Sequence, residues 1–441
     1  MSGHTEVGFM ESVRDSGVFR CLECGKCTAV CPISRYDRGF SPRRTVGRAV
    51  MSRDEALLTD DRLWACVTCL RCTTVCPAAV SYDDLTLSIR AEAHRVGRAA
   101  VCTHGEVLHG WMRLMADPAL RQQRLGWLHD GDAQPSGPLR VAEEGATLYF
   151  VGCAPYFHEQ FRHIGIDGNQ VARSTISALN ALGIEPQVMA DERCCGHDLL
   201  WEGDVDAFRQ LAALNADLIR ESGAERIVTS CPECARTLLV DYPAHGFDLG
   251  LEVQHLSQLV ASALADREPI DGPHAGRDAN GSGAAAAEGA RVGAGDGAGA
   301  VDAAASASDG GDRGSAGTVT YHDPCRLGRH LGEYDAPRDA MTSLGVRLVE
   351  MPRNRERAEC CGTNGWTHCG AANKSLQTDR LREAAATGAD TLVTACLKCQ
   401  IHFRCAKQDT QLGADTDIEI RDLSTMLAEG LIRNGSGPGG D

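Results

Sequence analysis

The spacing Cys21-x-x-Cys24-x-x-Cys27-x-x-x-Cys31-Pro32 recurs as Cys66-x-x-Cys69-x-x-Cys72-x-x-x-Cys76-Pro77. Thiols at every third residue, each run closed by Cys-Pro, do not suit an ordinary apolar core. They suit a cluster of iron and sulfide. Three thiolates separated by two residues wrap one face of an Fe4S4 cube, and the fourth, carried away by the turn before proline, reaches the neighbouring cube. That rule assigns Cys21, Cys24, Cys27 and Cys76 to one 4Fe-4S cluster, and Cys66, Cys69, Cys72 and Cys31 to the other. Structural zinc also uses Cys-x-x-Cys pairs. Four sulfurs satisfy a zinc ion, however, so the third evenly spaced cysteine and the trailing Cys-Pro stay unexplained.

The chain holds 21 cysteines in 441 residues and no apolar stretch of membrane-spanning length. Its first 17 residues lack the apolar core of a secretion signal. Unsecreted thiols stay reduced, so these cysteines read as metal ligands in a cytoplasmic protein, one able to sit on the inner face of a membrane through a partner. A formal charge of −16 excludes nucleic acid as a partner. Lysine is scarce, with only Lys26, Lys374, Lys398 and Lys407 among 44 basic residues. A GC-rich genome accounts for that bias, and no function is read from it.

The pattern along the chain divides it into a tail (1–17), a cysteine-dense segment with a helical extension (18–140), two copies of one α/β unit (146–266 and 318–433) and a Gly/Ala-rich linker (267–317). In the extension, Leu108, Trp111, Leu114 and Met115 fall on one apolar stripe. The first copy predicts strands at 147–153, 187–189 and 226–231 and helices at 171–182 and 205–222. The second predicts strands from 319 and at 346–350 and 391–396, with helices near 336–344 and 374–387. Strands alternating with helices imply parallel sheets. The most biased part of the linker, 279–317, has no aromatic residue, Leu or Ile and cannot bury a core. As a flexible chain it spans roughly 35 Å, enough for the copies to pack together.

Each copy supplies a single cysteine, an adjacent pair and a Cys-x-x-Cys: Cys153, Cys194, Cys195, Cys231 and Cys234, then Cys325, Cys360, Cys361, Cys396 and Cys399. The intervals are 40 and 35 residues in the first set and 34 and 34 in the second. Each cysteine falls at a strand end or a helix start, where ligands collect in open α/β units. Adjacent side chains do not easily share one cube face, so five such ligands suit a larger or irregular iron–sulfur centre. A pair of zinc sites in a scaffold domain is the bland alternative. Cys102, Cys369 and Cys405 fit no motif and read as structural, Cys369 being the first candidate for an exception because it is near Cys361.

With Tyr149-Phe-Val-Gly-Cys153, Tyr321-His-Asp-Pro-Cys325-Arg-Leu-Gly-Arg-His330, Cys399-Gln-Ile-His402 and Phe40-Ser-Pro-Arg43, the chain resembles the D-type subunits of heterodisulfide reductase. That type fuses a ferredoxin module to two Cys-Cys-Gly, or cysteine-rich, domains. The resemblance covers all but the tail and linker. It implies a mainly α-helical two-cluster ferredoxin-like domain followed by two related cysteine-rich βαβ-type domains. It also implies a noncubane 4Fe-4S centre at one or both five-cysteine sets, where the sulfurs of a substrate disulfide bind iron and these cysteines are catalytic; in some relatives one set holds zinc. The second copy departs from the family pattern in Cys361-Gly-Thr-Asn-Gly-Trp-Thr-His-Cys369 and in lacking a proline after Cys396.

Disulfide cleavage takes two electrons, whereas a cubane passes one, so carriers feeding a disulfide at a metal centre make chemical sense. The expected function is an oxidoreductase subunit that reduces or forms a small-molecule disulfide. The second reading is a relay in a flavin-dependent glycolate, lactate or glycerol-3-phosphate dehydrogenase that feeds quinone. Either reading needs a partner carrying flavin, haem or a quinone site (a cytochrome b-like membrane protein or a flavoprotein), because no dinucleotide fingerprint is present. His197, His322 and His368 are candidate proton donors to a leaving thiolate. The arginines Arg35, Arg38, Arg43, Arg44, Arg48 and Arg53 form either a docking face for an acidic partner or a solvated helix face. Crossed ligation makes a direct prediction. Cys31→Ser should damage the cluster held by Cys66, Cys69 and Cys72, as read by EPR of the reduced variant; loss confined to the Cys21–Cys27 signal would refute the crossing.

Overall fold

The computed structural model describes residues 9–51, 55–129, 137–265, 317–409 and 414–435. The linker expected at 267–317 lies outside the described residues except for Gly317, as do Arg53 and the first eight residues of the tail. The rest of the tail is not separate from the fold. Phe9–Asp15 is a helix that buries Val13 and packs on the helix Tyr82–Arg95.

Each cysteine-rich copy is built on a three-stranded parallel sheet. In the first, β1 (Thr147–Phe150), β2 (Arg226–Thr229) and β3 (Glu252–His255) pair in the order β1-β2-β3. In the second, β4 (Val319–His322), β5 (Thr391–Thr394) and β6 (Glu419–Asp422) repeat that order. The α/β repeats and the helical ferredoxin-like module are as expected. The strands predicted at 187–189 and 346–350 are each reduced to one parallel bridge, Leu148 to Gln187 and Val319 to Leu348. Pro186 has no amide hydrogen to extend the first ladder, and the second segment runs into Pro352. The third strands, Glu-Val-Gln-His and Glu-Ile-Arg-Asp, were too polar to be read from apolar alternation.

Helix starts follow local chemistry. Asp167 accepts from the Gln170 amide at 2.8 Å and Asp204 from that of Ala207 at 3.1 Å, each cap contributing about 1 kcal/mol. These caps open the helices Gly168–Ala181 and Val205–Glu221. The expected apolar stripe of the extension is corrected. Within the helix Val107–Met115 the buried residues are Leu108, His109, Met112 and Met115, whereas Leu114 is exposed. A period of 3.6 puts positions 108, 112 and 115 on one face and turns Leu114 outward.

The two copies exchange helices reciprocally. Gly168–Ala181 of the first packs on Leu423–Gly435 of the second, and Leu256–Ala265 of the first packs on Ala336–Ser343 of the second. Ile176, Leu179, Val260, Met341, Leu427 and Leu431 join in one core that belongs to both.

The ferredoxin module meets both copies at Arg326, whose side chain is buried. Its guanidinium donates to the carbonyl and hydroxyl of Thr68 at 2.8 Å each, to Asn364 Oδ1 at 3.1 Å and to His197 Nε2 at 2.8 Å. It also lies 4.2 Å from the centroid of the Trp201 ring. Glu359 makes a second joint, accepting from Arg35 and Arg71 of the ferredoxin module at 2.8 and 2.5 Å and from Arg353 at 2.9 Å. Arg326→Met keeps the stem on Trp201 and leaves several buried acceptors unmade. It should lower stability by about 3 kcal/mol. Urea unfolding with limited proteolysis across 97–146 tests this, and an unchanged midpoint and digestion pattern would show that the guanidinium does not join the modules.

Candidate metal centres

The ferredoxin cysteines gather in two neighbouring cavities. One of about 440 Å³ is lined by Cys21, Cys24, Cys27 and Cys76. The other, of about 360 Å³, is lined by Cys31, Cys66, Cys69 and Cys72. Cys72 and Tyr82 border both. Cys24 is exposed, as are Phe19 and Leu22 beside it, whereas Cys31 and Cys69 are buried. Backbone amides aim at the sulfurs: Glu23 N lies 3.4 Å from Cys21 Sγ, and Thr68 N lies 3.4 Å from Cys66 Sγ. Both residues hold a positive φ, 51° and 42°, a strained conformation for a side chain of their size. Burial pushes the Cys31 thiol up to about 12 and raises Cys66, Cys69 and Cys72 as well.

The five-cysteine sets form at the carboxyl ends of the sheets. Cys153 follows β1, Cys325 follows β4, and Cys231 and Cys396 cap the helices Pro232–Arg236 and Leu397–Lys407 that follow β2 and β5. A cavity of about 540 Å³ is lined by Cys153, Cys194, Cys195, Cys231 and Cys234. Cys153 Sγ lies 3.3 Å from Cys194 Sγ. In the second set the thiols crowd one another: Cys325 neighbours Cys360, and Cys399 neighbours both Cys361 and Cys396. Adjacent cysteines therefore do serve one site, because the glycine after each pair turns the chain. Gly362 has φ +94°, and a Cβ there would lie 2.8 Å from the Asn373 carbonyl. At Gly152 a Cβ would meet Cys234 Sγ at 2.7 Å, so Val-Gly-Cys admits no larger residue beside the site. The same local turn points the Gly196 amide at Cys194 Sγ and the Gly362 amide at Cys360 Sγ, each at 3.4 Å.

The sets stand next to one another. Cys69 is within electrostatic reach of Cys325 and Cys360, and Cys231 of Cys396. The middle residues of the two Cys-x-x-Cys segments meet directly: Lys398 Nζ lies 2.6 Å from Glu233 Oε2 and 2.5 Å from Asp198 Oδ1. Lys398, from the second copy, thereby lines the cavity of the first. Sequence reasoning assigned the lysines nothing. Yet the exposed Lys26 borders the first ferredoxin cavity, and the buried Lys398 stands between the five-cysteine sets. Their only signal was scarcity.

The candidate histidines separate. His197 is buried against Asp198 at 2.8 Å and borders the first five-cysteine cavity. His322 groups with Cys361 and Cys399 and accepts from Arg380 Nε at 3.1 Å. His368 is exposed. The histidine that touches a cysteine, His402, was not singled out as a proton donor: its Nδ1 lies 3.3 Å from Cys361 Sγ. Its signal was position, one helical turn after Cys399. Of the spacer arginines, Arg35 and Arg48 pair within the chain with Glu359 and Asp60, while Arg38, Arg43 and Arg44 are exposed.

These donors fit metal. Hydrogen bonding to a neighbouring thiol, with burial, pushes Cys194, Cys195, Cys234 and Cys325 well above the ordinary thiol range; burial does the same for Cys399. Only Cys361 is held down, to about 5, by hydrogen bonds from Cys360 and Cys399. Crowded thiols of this kind ionise together only against a cation. The Arg329 guanidinium, despite burial, is stabilised in its charged form by Cys69, Cys325 and Cys360, and its Nη2 has no partner among the described residues.

Comparison with known proteins agrees. A 4Fe-4S dicluster domain matches residues 17–80, and a cysteine-rich domain (CCG) matches residues 147–239 and 319–404. The chain is an iron–sulfur protein that joins a 4Fe-4S dicluster domain to two cysteine-rich domains. It is 27% identical to the D polypeptide of the dihydromethanophenazine:CoB–CoM heterodisulfide reductase of Methanosarcina barkeri, over 71% of this chain and 65% of that protein. The chain thus spans less than two thirds of that relative's length. It is 24% identical to the B polypeptide of a fumarate reductase (CoM/CoB) of Methanothermobacter marburgensis, over 95% of this chain and 73% of that one. It is 23% identical to an EtfAB:quinone oxidoreductase of Syntrophomonas wolfei, over 63% of this chain and 34% of that one. Among the described residues, no helix of this iron–sulfur protein is long and apolar enough to cross a membrane.

The raised thiols set a pH dependence for metal-free protein. The native state keeps protons that an unfolded thiol releases near 8.5, so stability falls as pH rises from about 8.5 towards 12. Melting of iron-stripped protein at pH 7 and pH 10 should show a lower Tm at pH 10, a drop that the loaded protein escapes. Equal drops in both forms would show that these thiols are not the cause.

Proposed function

We propose that this chain is the electron-transferring component of an oxidoreductase that reduces, or in reverse forms, a small-molecule disulfide at its five-cysteine sites. Two 4Fe-4S clusters would be held by Cys21, Cys24, Cys27 and Cys76, and by Cys66, Cys69, Cys72 and Cys31. Noncubane clusters would be held by Cys153, Cys194, Cys195, Cys231 and Cys234, and by Cys325, Cys360, Cys361, Cys396 and Cys399, with zinc the alternative at one of them. When bound, these groups supply one-electron transfer between sites and, at the last, a metal to which a substrate sulfur binds.

The observation that carries this reading is the unbroken succession of sites. The exposed Cys24 stands at one end, Cys72 borders both ferredoxin cavities, and Cys69 neighbours Cys325 and Cys360. Cys231 then neighbours Cys396, bringing the first copy within reach of the second. The chain's own side chains have defined tasks here. Arg329 compensates negative charge among the buried sulfurs, and Lys398 offsets the Asp198 and Glu233 carboxylates beside them. Cleavage of a disulfide consumes two electrons and two protons, releasing two thiols. His402 Nδ1 on Cys361 Sγ and His197 beside the first set are placed to hydrogen-bond there as neutral rings, since burial lowers both below the ordinary histidine range.

Phe19 and Leu22, exposed beside the first cluster site, would receive the partner that carries flavin, haem or quinone. The likeness to an EtfAB:quinone oxidoreductase supports a second reading, a non-catalytic relay between a flavoprotein and quinone. Turnover distinguishes them. Protein reduced by viologen should cleave a small-molecule disulfide by itself. Cys195→Ser and Cys361→Ser should lose that turnover by roughly a hundredfold or more while the ferredoxin clusters still reduce. A relay would accept electrons from viologen, cleave no disulfide in a broad panel, and restore quinone reduction when mixed with a flavoprotein.

A further inference from the structure

Apart from the four cysteine groups, the helical extension carries a donor set of mixed chemistry. Cys102, Glu106 and His109 stand on the turn before the helix Val107–Met115 and in its first half, and their donor atoms all lie within 4.8 Å of one another. Glu202, which ends the helix His197–Glu202 of the first copy, adds a fourth donor. Its Oε2 lies 2.8 Å from His109 Nδ1, and both side chains are fully buried.

We propose that Cys102, Glu106, His109 and Glu202 bind a single zinc ion, which fixes the helical extension to the first copy beside the loop after Cys361. None of these residues belongs to the cluster motifs, and the site is separate from the disulfide chemistry proposed above.

The state of the buried atoms is the first argument. His109 Nδ1 and Glu202 Oε2 meet at ion-pair distance, yet neither has a hydrogen-bond partner among the described residues. Buried polar atoms left this way are costly, and a cation that both can ligate removes the cost.

The second argument is how each donor is held. His109 Nε2 donates to the Gly365 carbonyl at 2.6 Å, which leaves Nδ1 to ligate, as in the outer-shell bonds that orient metal-binding imidazoles. Arg113 engages the other oxygen of Glu202, Oε1, and donates to Asp204 at 2.7 Å. The Cys102 amide donates to Glu106 Oε1 at 2.6 Å, holding that carboxylate beside the thiol. The neighbouring trio His94, Glu202 and Asp204 is different, because the Arg113 guanidinium already supplies its positive charge.

The third argument is chemical. One thiolate, one imidazole and two carboxylates suit tetrahedral zinc. Bonds of ~2.0–2.3 Å set neighbouring donors roughly 3.3–3.6 Å apart, so these residues need close in by about 1.5 Å at most. Glu106 is exposed and gives the ion a way in from solvent. On binding, the Cys102 thiol becomes a thiolate and its proton passes to water. The place matters too. Thr103 donates its amide to the Trp366 carbonyl at 2.7 Å, so with His109 on Gly365 the extension grips the loop after Cys361 at two points.

The test uses full-length, cluster-loaded protein dialysed against buffered zinc, with zinc and iron measured by elemental mass spectrometry. Zinc should bind without loss of iron, and X-ray absorption at the zinc edge should show a single sulfur among nitrogen and oxygen neighbours. Cys102→Ala should remove that sulfur. Glu106→Gln, at an exposed position that folding does not depend on, should weaken binding by roughly tenfold to a hundredfold. Zinc should also slow hydrogen exchange in peptides covering 97–109 and 363–369. Zinc surrounded by sulfur alone would belong to a five-cysteine set and overturn the site. So would the absence of bound zinc, or binding that Glu106→Gln leaves unchanged.

Discussion

Crowded, buried sulfur is the constraint on which the rest of this protein depends. All but three of its 21 cysteines fall into four groups, and most of those described as buried have thiols pushed above the ordinary range. Such groups become good metal ligands only when a cation enters and protons leave. The fold prepares for that exchange at every level. Tight glycine turns bring adjacent cysteines to one site, amides point at sulfur, and sheets deliver cysteines at their carboxyl ends.

Charge around the sulfurs comes from places that secondary structure alone does not specify. Arg326 and Arg329 follow Cys325 by one and four residues, yet their donors end on the ferredoxin module, at Thr68 and Cys69. Lys398 belongs to the second copy and neutralises Glu233 and Asp198 of the first. Neither copy completes its own electrostatics. The reciprocal helix exchange explains why this works. Two related units that each lay an early helix on the other's last share a core, and their equivalent Cys-x-x-Cys loops are brought face to face.

Much of this was legible before any coordinate. Cluster spacing is a local property: three cysteines separated by two residues impose their geometry on a few turns of backbone, so Cys21–Cys76 could be read directly. The repeat of single, paired and Cys-x-x-Cys cysteines was equally plain, as were the helices opened by Asp167 and Asp204 and the apolar strands β1, β2, β4 and β5. The polar third strands β3 and β6 were not, because backbone pairing with a central strand outweighs their own weak propensity. The stripe over the helix Val107–Met115 was misread by one position, since Leu114 and Met112 differ only in which side finds a partner.

The sequence by itself determined which cysteines fall into metal-like sets and that two copies of one unit follow a ferredoxin module. Those properties follow from spacing and residue type, which tolerate many arrangements in space. Only the tertiary structure decided that Cys69 neighbours Cys325, that Lys398 stands over the first copy's cavity, and that His402 rather than His368 touches a cysteine. It also decided that Glu202 of the first copy faces His109 of the helical extension, beside Cys102 and Glu106. The reason is physical. Contacts between residues hundreds of positions apart depend on how whole helices and sheets pack, and the shared core that sets this packing is built from apolar side chains that carry no mark of the site they position.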